Sequence, residues 1–287
     1  MLFDLTSPGR RRVVRITFGA LAAIFAISFV FLGVGTGGGG FSLSDLLGTG
    51  GGGDASSAFD DQISAAEKQV QVNPADTAAR ASLVKLHYSA AVQNRNSDGT
   101  FTSDGQQQLN QTADAWNKYV KATNGKPDPG TAAVAVQAFD VLGVVSFQQA
   151  RTASSTTDAL QDVNTAVASW KGAADAQQVL VEQRPASSSY VKLAYYRYLS
   201  GDIAAGDAAA AQAKKTAKGS EASQIDQQLN PIKQLGTQLQ TAIKQLNKQQ
   251  QAVQGGGGGA AAGGAAGGNP LGGVGAGLGG TGLSGGQ

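Results

Sequence analysis

The stretch "VKLAYYRYLSGDIAAGDAAAAQAKK", residues 191–215, joins an aromatic-rich segment to an alanine-rich one, and its small residues are placed at intervals. Leu193 stands beside the compact Ala194, and Gly206, Ala210 and Ala213 follow at steps of four and three, which set three small side chains on one face of a helix. Small residues on facing helices allow close approach. The same pattern recurs upstream. Ala115, Tyr119, Ala122 and Pro127 have the spacing of Ala173, Gln177, Leu180 and Pro185, and Gln62, Ala66, Gln69 and Pro74 repeat it with weaker residues. In each set the proline ends a helix. A leucine paired with a small or compact residue accompanies each: Leu83 with Val84, Leu142 with Gly143, Leu193 with Ala194. From about residue 56 to 218 the chain is rich in Ala, Gln and Leu, with little glycine inside its periodic segments, which predicts helix throughout and an all-α fold.

These internal repeats make residues 57–218 resemble a tetratricopeptide repeat protein. "ADAWNKYVKATNGKP" (113–127) is similar to the second helix of such a repeat, and 191–215 to a complete unit, with Leu193, Ala194, Gly201, Gly206, Ala210 and Ala213 at the family's spacing. The resemblance implies a short α-solenoid of helix pairs whose concave face binds proteins or peptides. Departures are plain, since 13 residues separate Leu193 from Gly206, but 32 separate Leu83 from Ala115 and 31 separate Leu142 from Ala173. The first two units therefore carry insertions. The residue five after each paired leucine is aromatic: Tyr88, Phe147 and Tyr198. In this repeat family that offset points toward the groove, so the three rings are candidate partner-binding residues; filling the core is the competing role.

The N-terminal part supplies an address. Residues 16–34 are uncharged and, at about 1.5 Å per residue, span roughly 28 Å, close to the ~30 Å of bilayer hydrocarbon. Arg10, Arg11, Arg12 and Arg15 precede this stretch, whereas no Lys or Arg follows it before Lys68. That asymmetry predicts a cytoplasmic N-terminus (1–15), a single transmembrane helix (16–34) and an extracytoplasmic remainder. A cleaved secretory signal is the alternative, and its apolar part is usually shorter. The overall layout resembles single-pass, membrane-anchored tetratricopeptide repeat proteins of actinobacterial type, a group with no defined activity. Residues 35–55 are a Gly-rich linker interrupted by the apolar patch Phe41–Leu47, and 255–287, with 18 glycines among 33 residues, read as a disordered tail.

Between helical domain and tail, residues 219–254 carry Ile225, Leu229, Ile232, Leu239, Ile243, Leu246 and Val253 at alternating steps of four and three. Gly236 and Gln250 interrupt this stripe, and Pro231 is expected to break the helix after Asn230. A helix capping the last repeat and a coiled-coil or partner helix both fit the pattern.

The chain carries 22 basic and 20 acidic residues, but the remainder after residue 15 has a net charge of −1 and no basic cluster, which argues against a nucleic-acid face. Cysteine is absent, removing disulfides, thiol catalysis and Cys-based metal sites. His87 is the one histidine, within a helical segment, so no two-His metal site is available. The G-x-G-x-x-G matches, those from Gly33 and from Gly275 among them, lie in glycine runs rather than at a strand–helix junction. "NRNSDGTFTSDG" (94–105) places Asn94, Asn96, Asp98, Gly99 and Phe101 as in an EF-hand calcium loop, but Gly105 stands where the bidentate Glu belongs. The plainer reading is a turn between helices, with Ser103 or Asp104 capping the second. No catalytic set, cofactor motif or metal site emerges. The expectation is a non-enzymatic, membrane-anchored extracytoplasmic interaction module acting as scaffold, assembly factor or chaperone-like holder. A passive structural or wall-associated envelope protein and a secreted regulator are the alternatives.

Overall fold

The computed structural model describes residues 55–255. The expected transmembrane helix, nearly all of the Gly-rich linker and of the tail, and the side chain of Val253 lie outside the described residues. Among the described residues the fold is all-helical, with eight helices and no strand: α1 (Ala55–Val72), α2 (Thr77–Gln93), α3 (Ser103–Ala122), α4 (Pro129–Thr152), α5 (Thr156–Gln183), α6 (Ser187–Leu199), α7 (Ile203–Thr216) and α8 (Glu221–Gly255).

Local chemistry sets the helix starts. Asp76, Thr102, Asp128, Ser155 and Asp202 each stand just before a helix and accept, through a side-chain oxygen, the backbone N–H three residues on. Thr102 is thus the cap of α3 rather than Ser103 or Asp104, because it is the last extended residue and its Oγ1 meets the Gly105 N–H at 3.1 Å. Pro129 follows its cap at the first helical position, where a missing N–H costs nothing. Pro74 and Pro185 fall just beyond helix ends, whereas Pro127 lies five residues past the end of α3, which closes at Asn124 and Gly125 with positive φ.

Short connections fold α2–α3, α4–α5 and α6–α7 into helical hairpins, and α1 packs on α2 through Phe59, Ile63 and Ala66 against Leu86 and Ala90. The α4–α5 pair carries a reciprocal lock. Gly143 of α4 faces the Trp170 indole, and Gly172 of α5 faces the Phe139 ring, so each helix offers a glycine to the other's aromatic. This pairing fixes the two helices as antiparallel. The long second unit is explained by helix length: α4 and α5 have 24 and 28 residues, against 13 and 14 in α6 and α7. In the first unit the extra residues also form the connection 94–102, a tight turn closed by the isolated bridge Arg95–Phe101.

One continuous apolar cluster runs from Val84 of α2 to Leu246 of α8. α8 packs against α5, α6 and α7, burying Ile225, Leu229, Ile232, Leu235, Leu239, Ala242 and Leu246. Pro231 does not break this helix. The carbonyl it leaves without a partner belongs to exposed Gln227, where water can serve it, while buried side chains on both sides of the proline hold the helix in line. Gly236 fills its gap in the stripe by close approach, since a Cβ there would collide with the Tyr198 carbonyl oxygen. Two ion pairs bind α8 to α7: Lys214 Nζ to Asp226 at 2.8 Å and Lys233 Nζ to Asp207 at 2.7 Å.

α4 is the one helix among the described residues long and apolar enough to cross a membrane, with a mean hydropathy of 1.6 in its most apolar stretch. More than half of that stretch is buried inside the fold, against α5, α3 and α2.

Candidate functional site

The first helices of the three hairpins, α2, α4 and α6, share the walls of one groove, closed at one end by the 94–102 turn and edged by α5. Its volume is about 780 Å³. α4 contributes most of the lining, including Val136, Val141, Val144 and Val145, and Leu180 of α5 adds to the apolar surface. Val144 is 46% exposed, one of only two large apolar side chains so open among the described residues. Tyr88 of α2 and Tyr196 of α6 both line it, and the Tyr88 hydroxyl donates to Gln137 Oε1 at 2.9 Å.

Charge enters this apolar setting at three residues. Asp140 lies on α4 with its Oδ1 buried and without a hydrogen-bond partner. Burial pushes its carboxyl up to about 7, against the opposing pull of the Lys192 ammonium from α6. Lys192 is itself held below its ordinary value by burial, with Asp140 acting in the other direction. Arg95, in the turn after α2, sets its guanidinium 4.4 Å over the Phe101 ring, and its Nε is buried without a hydrogen-bond acceptor. Tyr88 feels both charges: burial raises its pKa most, Arg95 lowers it and Asp140 raises it.

The three rings singled out by sequence are not brought together on one surface. Tyr88 lines the groove. Phe147 is buried on the α5 side, its ring 5.7 Å from that of Trp170. Tyr198 is buried between α7 and α8, with its ring on Gly206 and its hydroxyl donating to Asp207 Oδ1 at 2.8 Å. Packing decides this placement, because the glycines opposite Phe147's neighbour Trp170 and opposite Tyr198 draw those rings inward. The groove's aromatic residues are instead Tyr88, Phe101 and Tyr196. Asp140 belongs to no motif, although a lone charge inside "AAVAVQAFDVLGVV" (132–145) is a signal that the sequence does carry.

The calcium-like loop satisfies its own acceptors. Asp98 Oδ1 accepts from Thr100 N at 2.9 Å and from Thr100 Oγ1 at 2.6 Å, which holds its carboxyl below the usual range, and Gly99 takes the positive φ of 83° that the turn needs. Among the described residues no three His, Cys, Asp or Glu side chains cluster in a way that fits a metal ion. His87 is buried, with Nδ1 2.8 Å from Gln108 Oε1, on the wall of a second groove of about 820 Å³ between α1, α2 and α3. That second groove has a more charged rim, with Glu67, Lys68, Arg80, Asp114 and Lys118.

No protein-family model, curated protein or solved structure matches this chain.

Proposed function

We propose that this protein is a non-enzymatic protein–protein interaction module of the helical-repeat, tetratricopeptide-like kind, anchored by residues 16–34 and displayed outside the membrane. It acts there as scaffold, assembly factor or holder of exported chains. The observation that carries this reading is the groove built by α2, α4 and α6, an apolar channel with Val144 open to solvent and tyrosines on two of its helices. A surface of this kind gains free energy by covering apolar side chains, at roughly 25 cal/mol per Å². Aromatic rings beside it supply rigid contact area.

A photo-crosslinking amino acid placed at Val144 in the full-length chain tests the proposal in cells. The expected result is a small, reproducible set of protein adducts that is absent when the same residue replaces exposed Lys244 on α8. Equal, diffuse labelling from both positions, or retention on wall polymer with no protein adduct, would favour a passive envelope element.

A further inference from the structure

Two residues that line the groove each carry a buried polar atom that the fold leaves unsatisfied, one of each kind. Arg95 Nε is a donor without an acceptor, and Asp140 Oδ1 is an acceptor without a donor. Both residues line the same groove, among Val136, Val141 and Leu180. Buried polar groups are nearly always paired, so an unpaired donor and acceptor in one apolar channel mark where a ligand's own polar groups fit.

Charge narrows the ligand. A cation drawn to Asp140 meets Arg95 and Lys192, and an anion drawn to those two meets Asp140. A neutral group with a positive end and a negative end satisfies both sides, and the peptide bond is such a group, with its N–H and C=O as obligatory donor and acceptor. The terminal torsion of an aspartate is broad, so a turn of the carboxylate brings an oxygen to the groove face. Resting on the reading of this groove as a peptide-binding surface, we propose that it holds an extended, uncharged apolar segment of a partner chain by its backbone. One partner amide donates to the Asp140 carboxylate, and one partner carbonyl accepts from the Arg95 guanidinium. The valines and Leu180 take alternate side chains without selecting among them. Recognition of this kind tolerates changes of side-chain order but not the loss of a backbone N–H.

The test uses the full-length chain in lipid nanodiscs and a capped, fluorescein-labelled nonapeptide that alternates Val or Leu with Ser or Gln, read by fluorescence anisotropy. Shuffling that peptide, or raising salt from about 50 to about 500 mM, is expected to change Kd by less than about threefold, because no net charge is exchanged. Replacing single central amides by N-methyl amides is expected to weaken binding about tenfold at one position, the scale of one lost hydrogen bond. Asp140→Leu is expected to weaken binding by a similar factor, and Asp140→Asn, which keeps an acceptor oxygen, by less than about threefold. Binding that is lost in Val144→Asp, yet indifferent to every N-methyl position or steeply salt-dependent, overturns the backbone proposal alone. No binding of any peptide in the panel, or binding unaffected by Val144→Asp with its helical circular dichroism intact, overturns the peptide-groove reading beneath it. The methylated peptides leave the protein unaltered, so the decisive comparison does not depend on a variant folding.

Discussion

Asp140 stands on α4 in a run of alanines and valines, and the Lys192 ammonium does not fully offset the cost of ionising it there. Its carboxyl is pushed from 3.8 up to about 7, so between those values the folded state binds a proton that the unfolded chain has released. Stability from this group is therefore fully present below about pH 4 and is lost as pH rises through 7, by at most about 1.4 kcal/mol per pH unit. The groups that interact with it are Lys192, Tyr195 and Tyr196 of α6 and Tyr88 of α2; the tyrosines are all raised by burial and stay neutral throughout this window. Urea unfolding at pH 5.0 and 7.5 should show the wild type more stable at the lower pH, and Asp140→Asn should remove most of that difference. A variant with an unchanged pH profile would show that Asp140 is no more costly to ionise than a surface carboxylate. The sequence marks Asp140 as the lone charge of an apolar run, but which helices come to cover it is set by packing that the run itself does not encode.

At the level of elements, the stripe of α8 was legible from its steps of four and three, since a helix must bury an apolar face of that period somewhere. What spacing left open was the surface that receives it. The C-terminal end of α6 receives it, where Gly236 sits against the Tyr198 backbone and Gly206 against the Tyr198 ring. Pro231 leaves α8 unbroken, against the expectation from sequence, for a related reason: a proline's cost is local, whereas the docking of Ile225, Leu229, Ile232 and Leu239 on both sides of it is collective. Gly236→Ala adds a methyl where a main-chain oxygen stands, and a main chain yields less easily than a side chain. Overpacking of this kind costs about 1–3 kcal/mol, against about 1 kcal/mol gained in helix propensity. The expected outcome is a net loss of up to about 2 kcal/mol in chemical denaturation, with faster proteolytic cleavage within α8 than elsewhere. Unchanged stability and protection would mean that α8 does not depend on this close approach.

For the whole molecule, the periodic spacing of small residues announced paired helices, and the prolines announced their ends, because both patterns follow from helix geometry alone. The groove was not legible, since its walls come from helices far apart in sequence and its key side chains share no motif. Membrane attachment is decided at this scale as well. Two segments are apolar enough to span: residues 16–34, flanked by arginines, and α4, at mean hydropathy 1.6. α4 crossing a bilayer would have to leave α5, stripping Trp170 from Gly143 and Phe139 from Gly172. α5 cannot follow it into lipid, because Asp158, Asp162, Lys171 and Asp175 lie along its length. Burial already satisfies the apolar face of α4 within the fold, which supports the proposal that residues 16–34 are the anchor. The full-length chain should therefore sediment with membranes and resist carbonate extraction, while the same chain lacking residues 16–34 should remain in the supernatant with an unchanged helical circular dichroism spectrum. Carbonate-resistant sedimentation of the deleted chain would instead make α4 the spanning helix, and the groove that α4 lines would then be lost as a site for extracytoplasmic partners.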